Sequence, residues 1–114
     1  MGDLSLHFNR SEFACPDLCG LDTVDAELLS DLDSIRTHFE RPVTINSGCR
    51  CPEYNRSVGG AENSQHLLGR AADIVVDGIT PALVQELAEQ LDVHGLGEYS
   101  TFTHIDSRNG TARW

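Results

Sequence analysis

Two segments whose apolar residues recur at helical spacing alternate with short runs rich in β-forming residues. The first helical pattern begins near residue 24, with Asp22 or Thr23 as its predicted cap, and Pro42 ends it. The second starts at Thr80 and Pro81, a cap followed by a first-turn proline, and runs to about residue 91. We predict strands at residues 43–46, 71–76 and 101–106. The expected fold is α+β, with an antiparallel sheet flanked by two main helices.

The size and charge of the chain narrow the classes of function. A chain of 114 residues fits one compact domain, so we assign residues 1–114 to a single domain. The formal net charge of −10 disfavours binding to nucleic acid or to an anionic membrane. No apolar run is long enough to span a membrane, and no secretory signal is recognisable. We therefore expect a monomer that stays in the cytoplasm unless cell lysis releases it.

Four cysteines form two sequence pairs, Cys15 with Cys19 and Cys49 with Cys51. A disulfide framework is not the default without a secretory signal, and one intervening residue is tighter than usual zinc-ligand spacing. Disulfides, buried thiols and a structural metal site all stay open at this point. A cysteine nucleophile is not expected, because no base accompanies any of the four in sequence.

Two histidines and one aspartate stand out as candidates for chemistry. His66 ends a polar, glycine-punctuated segment of a kind that often carries function, and Asp73 lies within an apolar run. His104 alternates with bulky residues on a predicted strand. A buried carboxylate needs a partner, either a metal cation or an arginine such as Arg50 or Arg70. Two histidines and a carboxylate form a normal catalytic zinc set, but the spacing alone favours a buried salt-bridge network over a metal site.

Three motifs occur in a specific order and spacing: Ser47-Gly48-Cys49-Arg50, Ser64-x-His66-x-x-Gly69-x-Ala71-x-Asp73 and Phe102-Thr103-His104-Ile105-Asp106. Together they resemble the zinc D-Ala-D-Ala carboxypeptidase family and related cell-wall endopeptidases. The similarity is greatest to the short, single-domain branch that is common in phage lysins. It extends over essentially the whole chain and implies a hedgehog/DD-peptidase-like fold.

The resemblance implies that His66, Asp73 and His104 bind one zinc ion. It also implies that Arg50 binds a substrate carbonyl or carboxylate, and that Ser64 shapes the ligand loop and contacts substrate. The implied activity is zinc-dependent hydrolysis of a peptide bond in peptidoglycan stem peptides, as a D,D-carboxypeptidase or an endopeptidase. A phage lysin would stay in the cytoplasm until lysis or be carried in the virion.

One departure from the family concerns the general base. Many relatives have a carboxylate or histidine shortly before the last ligand, where this chain has Thr101 and Phe102. Two catalytic carboxylates are therefore candidates: Glu98, six residues before His104, and Asp106, on the same predicted strand face as His104. Asp106 is equally a candidate for orienting a ligand. The alternative function is a zinc-containing cell-wall or peptide binding module without turnover.

Overall fold

A computed structural model describes residues 5, 7–16, 22–61 and 64–114. Its five-stranded sheet has the order β1-β2-β4-β3-β5. The strands are β1 (Val43–Ser47), β2 (Ala71–Val76), β3 (Gly95–Glu98), β4 (Thr103–Asp106) and β5 (Ala112–Arg113). The helices are α1 (Ala26–Phe39), α2 (Pro52–Ser57) and α3 (Pro81–Gln90), with 3-10 turns at Arg10–Phe13 and Gln65–Leu68. The predicted α+β class is confirmed.

Three details differ from the sequence-based expectation. The α1 cap is Asp25, whose carboxylate accepts a hydrogen bond from the Leu28 backbone N–H at 3.3 Å, and not Asp22 or Thr23. Strand β4 begins two residues later than predicted, because a turn precedes it in which the Tyr99 N–H donates to the Phe102 carbonyl. The polar tail was not predicted to form a strand, yet β5 pairs parallel to β3. All the other strand pairs are antiparallel.

The two faces of the sheet have different roles. Apolar side chains on one face form the core with α1 and α3; they include Ala72, Ile74, Leu96 and Ile105. Because side chains alternate along a strand, Asp73 and His104 project from the other face. The antiparallel register places these two residues directly opposite each other on β2 and β4. None of the helices in the described part of the chain has the length and apolar character needed to cross a membrane.

Buried cysteines connect the N-terminal turn to the loop after β1. The Cys51 N–H donates to the sulfur of Cys15 at 3.4 Å, and the Cys49 N–H donates to the Phe13 carbonyl at 2.8 Å. Cys15, Cys49 and Cys51 are all buried, whereas Cys19 lies outside the described residues. These contacts fix the start of the segment that carries Arg50.

The stability of the folded protein depends on pH through Asp31, which lies on α1. Burial and, to a smaller extent, the charge of Glu27 raise the pKa of Asp31 to about 6 from its ordinary value of 3.8, with weaker and opposed effects of His94 and Asp25. The folded protein therefore holds this proton more tightly than the unfolded chain. Stability from this group is full at low pH and is lost as the pH rises from about 4 to about 6.

We expect Asp31→Asn to increase the free energy of unfolding at pH 7 by about 1 kcal/mol, a value reduced for solvent screening of a partly exposed group. The gain should be much smaller at pH 4, where the aspartate is largely protonated in both states. Urea denaturation at the two pH values measures the difference. Asp77→Asn removes the same charge from an exposed position and serves as the control. An equal gain at both pH values would contradict the role of Asp31.

Candidate active site

His66, Asp73 and His104 converge on the polar face of the sheet. One ligand atom from each residue lies within 4.8 Å of the other two. Nε2 of His66 and Nδ1 of His104 lie 3.2 Å and 2.9 Å from the same oxygen, Oδ1 of Asp73. None of the three residues is more than 9% exposed. The structure thus brings together all three predicted ligands in a group that could hold a metal ion.

Each histidine of this group is held from behind by a hydrogen-bond acceptor. Nδ1 of His66 lies 2.7 Å from the Gly48 carbonyl, and Nε2 of His104 lies 2.8 Å from Oδ2 of Asp106. Protons on these outer nitrogens leave the inner nitrogens with lone pairs directed at Asp73. In that tautomer, two imidazole lone pairs and a carboxylate oxygen face one another. Such a donor set fits a metal cation, which would satisfy all three acceptors.

The protonation equilibria follow from these contacts. Burial alone would raise the pKa of Asp73, but hydrogen bonds with His104 and His66 outweigh it and hold that pKa below its usual range. Burial also opposes charge on His104, whereas hydrogen bonds to Asp106 and Asp73 raise the pKa of that imidazole.

Arg50 forms a hydrogen bond with the oxygen of Asp73 that does not contact the two histidines. Its Nη2 donates to Oδ2 of Asp73 at 3.2 Å, its Nη1 to Asn55 at 3.0 Å and its Nε to Ser47 at 3.0 Å. Arg50, and not Arg70, is therefore the arginine partner of Asp73; Arg70 donates to a backbone carbonyl instead. Within the described part of the chain, these contacts use three of the five guanidinium N–H groups. Arg50 also lines the cavity that lies over the ligand group.

Asp106 is wholly buried behind His104. It contacts the outer nitrogen of that imidazole and therefore lies on the far side of the ring from the ligand atoms. Arg108 donates to both of its oxygens, at 2.8 Å and 2.6 Å. These contacts outweigh the effect of burial and lower the pKa of Asp106. The structure gives Asp106 the place of a residue that orients His104 and does not bring it to the ligand group as a base.

Glu98, the other predicted base, is not brought to the site either. Glu98 pairs with Thr103 across the sheet, whereas the preceding residue, Gly97, pairs with His104. Because neighbouring residues on a strand project to opposite faces, Glu98 projects away from the face that carries His104. Its side chain is exposed and does not line the cavity over the ligand group. The position of Glu98 six residues before His104 in the sequence did not determine from which face of the sheet its side chain projects.

Ser64 shapes the turn that carries His66, as the motif implied. Its hydroxyl oxygen accepts a hydrogen bond from the His66 backbone N–H at 3.2 Å and so caps the Gln65–Leu68 turn. The residue also lines the cavity. Its contact with substrate stays a prediction.

An open cavity of about 460 Å³ lies over the ligand group, and one of its walls is aromatic. The Tyr99 and Phe102 rings stack with centroids 4.4 Å apart. Nε1 of Trp114 donates to the Tyr99 hydroxyl oxygen at 2.8 Å, and the Trp114 ring lies 5.0 Å from that of His104. The Trp114 indole covers Gly97, where any Cβ would overlap it. The sequence-based prediction missed this wall; the aromatic residues just before His104 were the available signal.

A larger groove of about 670 Å³ lies between α1 and α3. The described residues that line it form no group of metal-ligating side chains. The cavity over His66, Asp73 and His104 is therefore the better candidate for chemistry, although it has the smaller volume.

A sheet that holds a buried His/Asp/His group at the floor of an open cavity fits a mononuclear metal site of the kind that metal-dependent hydrolases use. Comparison with known sequences gives the family. The profile of the Peptidase M15 family matches residues 6–106, and the chain belongs to this family.

Two curated relatives illustrate the range of similar proteins. The chain is 49% identical over 35 residues to the zinc D-Ala-D-Ala carboxypeptidase of Streptomyces albus G, a match covering 31% of this chain and 14% of the relative. It is 36% identical over 80 residues to the peptidoglycan L,D-endopeptidase MepK of Escherichia coli K12, covering 64% of this chain and 43% of the relative. The matched region is less than half the length of either relative.

Proposed function

We propose that this chain is a zinc-dependent peptidase that hydrolyses a peptide bond in peptidoglycan stem peptides. The observation that carries the proposal is the convergence of two imidazole nitrogens and a carboxylate oxygen at the floor of an open cavity. The names of the relatives support the substrate class, since one is a D-Ala-D-Ala carboxypeptidase and the other a peptidoglycan L,D-endopeptidase. The first name also supports zinc as the metal.

In this proposal His66, Asp73 and His104 hold one zinc ion. When bound, zinc supplies a Lewis acid and lowers the pKa of a coordinated water. The Gly48 carbonyl and Asp106 keep the histidine lone pairs directed inward, and the hydrogen bond from Arg50 orients Asp73. Arg50, which lines the cavity, would bind a carbonyl or terminal carboxylate of the substrate and stabilise charge that develops on it.

Hydrolysis by this mechanism needs a group that accepts the proton of the attacking water. Among the described residues that line the cavity, Asp73 is the sole carboxylate, and Arg50 already occupies its second oxygen. This observation is also what favours the second candidate function, a zinc-containing module that binds cell-wall peptide without turnover. The two functions differ in one measurable respect, the release of product.

Mass spectrometry of defined muropeptides incubated with the protein tests both functions. We expect cleavage products with zinc present, loss of cleavage on exhaustive chelation, and recovery on adding zinc back. The masses of the products identify the bond that is cut. Intact muropeptides that nevertheless bind the protein would favour the binding module. Turnover that survives both chelation and His66→Ala would contradict the zinc mechanism.

Asp106→Asn separates an orienting role from a catalytic one. If Asp106 orients His104, the substitution should weaken zinc binding about 10- to 100-fold, with kcat at saturating zinc close to wild type. Loss of a general base would instead lower kcat by about 10²- to 10⁴-fold even at saturating zinc. Zinc titrations and steady-state kinetics give the two quantities. Glu98→Gln is the comparison, and we expect it to change neither, since Glu98 projects from the opposite face.

A further inference from the structure

The hydroxyl group of Tyr99 lies on the same face of the sheet as the ligand group. A Cβ at Gly97 would overlap Nε1 of Trp114, and Gly97 pairs with His104 across β3 and β4. Because paired residues on antiparallel strands project from the same face, the indole nitrogen lies on the face that carries His104. This nitrogen donates to the Tyr99 hydroxyl oxygen at 2.8 Å, so the hydroxyl lies there too.

The distance between this hydroxyl and His104 is short enough for one peptide to span. Paired residues on antiparallel strands have Cβ positions about 4.5–5.5 Å apart. Together with the overlap at Gly97 and the hydrogen bond from Trp114, this spacing places the hydroxyl oxygen within roughly 11 Å of the His104 Cβ. An extended peptide covers about 3.3 Å per residue, so about three residues of a ligand reach from one group to the other.

No described residue accepts the proton of the Tyr99 hydroxyl. An indole nitrogen is a donor only, so the phenolic oxygen is the acceptor in the hydrogen bond with Trp114. Stacking on the Phe102 ring and the bond from Trp114 hold the phenol from two directions. Tyr99 is 41% exposed and lines the cavity, so its O–H is a positioned donor that a ligand can reach.

The charges around the cavity favour a ligand that is rich in acceptor oxygens. Among the described residues that line it are two arginines, Arg50 and Arg108, and one carboxylate, that of Asp73, although the whole chain has a net charge of −10. A peptide supplies one carbonyl oxygen per residue. Carboxylates of a stem peptide pair best with arginines, which leaves a neutral carbonyl as the matching acceptor for the neutral hydroxyl.

We propose that the Tyr99 hydroxyl donates a hydrogen bond to a backbone carbonyl oxygen of the bound stem peptide. The assignment rests on the proposed function, which it extends by naming a further residue that binds the substrate. The contact fixes the peptide at a point about three residues from the ligand group and so sets its register there.

Tyr99→Phe tests the proposal, because phenylalanine keeps the stacked ring and removes only the hydroxyl. We expect stem-peptide binding to weaken about 3- to 10-fold, the usual effect of losing one neutral hydrogen bond. Zinc content and melting temperature should stay at wild-type values, since the hydrogen bond that is lost lies at an exposed position. Tyr54→Phe is the matched control. Tyr54 is the other tyrosine of the chain, lies on α2 and does not line the cavity, so binding should not change.

The probe is the synthetic pentapeptide L-Ala-γ-D-Glu-L-Lys-D-Ala-D-Ala, titrated by calorimetry at low temperature into zinc-loaded protein. Mass spectrometry of the recovered peptide confirms that it is intact. A series of analogues replaces one carbonyl oxygen at a time by sulfur, which is a weaker acceptor. A further analogue has an amide in place of the terminal carboxylate. Circular dichroism verifies that the variants are folded.

We expect one thioamide analogue to bind wild type about 3- to 10-fold more weakly than the pentapeptide, and to bind Tyr99→Phe as well as the pentapeptide does. Equal affinity of Tyr99→Phe and wild type for the pentapeptide would overturn the proposal. A difference between the two proteins that disappears with the amidated peptide would also overturn it, since the hydroxyl would then bind the terminal carboxylate.

The same titrations separate this contact from the proposed function. Wild type that binds with the expected pattern but never cleaves would refute the peptidase and leave the Tyr99 contact supported. Wild type that cleaves, with Tyr99→Phe of equal affinity, would leave the peptidase supported and refute the contact. Wild type that binds none of these peptides would refute the contact as well.

Discussion

Asp73→Asn should lower the rate of stem-peptide hydrolysis by at least about 10³-fold and should remove tightly bound zinc. The carboxylate oxygen that lies 3.2 Å and 2.9 Å from the two histidine nitrogens would become a neutral amide group. A metal ion contributes several kcal/mol of transition-state stabilisation, and about 4 kcal/mol corresponds to a 10³-fold change in rate. Muropeptide turnover and the zinc content of the purified protein measure the two effects.

Asp77→Asn is the matched control for this experiment. Asp77 follows β2 directly and is exposed, so the same chemical change there should leave zinc content and rate at wild-type values. An Asp73→Asn protein that keeps its zinc and its activity would show that the His/Asp/His group is not the catalytic centre. Circular dichroism verifies that the variant is folded.

Gly95→Ala should reduce the free energy of unfolding by about 3 kcal/mol or more. A Cβ at this position would overlap the Asp106 carboxylate, which is wholly buried and contacts both His104 and Arg108. Displacing the carboxylate breaks a buried ion pair, and such losses typically cost about 3–5 kcal/mol. Because His104 would lose the hydrogen bond with Asp106 that orients its ring, the affinity for zinc should also fall. Urea denaturation and zinc titration provide the measurements.

Gly59→Ala is the control against which the loss of stability in Gly95→Ala is compared. No atom lies within 4 Å of a Cβ placed at Gly59, but the residue has a positive φ of 72°. Its replacement should cost only about 1–2 kcal/mol, the usual penalty for a left-handed residue with a side chain. A Gly95→Ala protein that is as stable as Gly59→Ala would mean that the Asp106 cluster adapts without breaking.

The elements that the sequence predicted well are those with strong local signals. Helix α3 begins at Pro81 with Thr80 as its cap, as the cap chemistry predicted. Strand β2 spans Ala71–Val76, as the apolar pattern predicted. The three candidate ligands were predicted from a motif, and the fold then brought them together. In each case the decisive information lies within a few neighbouring residues or in a spaced motif.

The supporting contacts of the site depend instead on how distant strands pair. Both Arg50 and Arg70 were possible partners of Asp73 on sequence grounds. The register of β1 with β2 sets Ser47 opposite Asp73 and so brings the nearby Arg50 to the carboxylate. Strand pairing likewise decides the position of Glu98. Gly97 lies opposite His104, whereas Glu98, one residue later, projects from the other face of the sheet.

The amino-acid order alone was sufficient for the two main helices and the main strands, because short-range chemistry specifies them, whereas the candidate ligands were named from the resemblance to a family. Tertiary structure decided which groups surround those ligands. Trp114 reaches His104 through β5, a two-residue strand too short to leave a periodic pattern in the sequence. Asp106 lies behind His104 and not beside the ligand atoms, because one nitrogen of the rigid imidazole contacts Asp73 and the other contacts Asp106. Contacts of this kind are set by strand register and side-chain direction, which only the folded chain specifies.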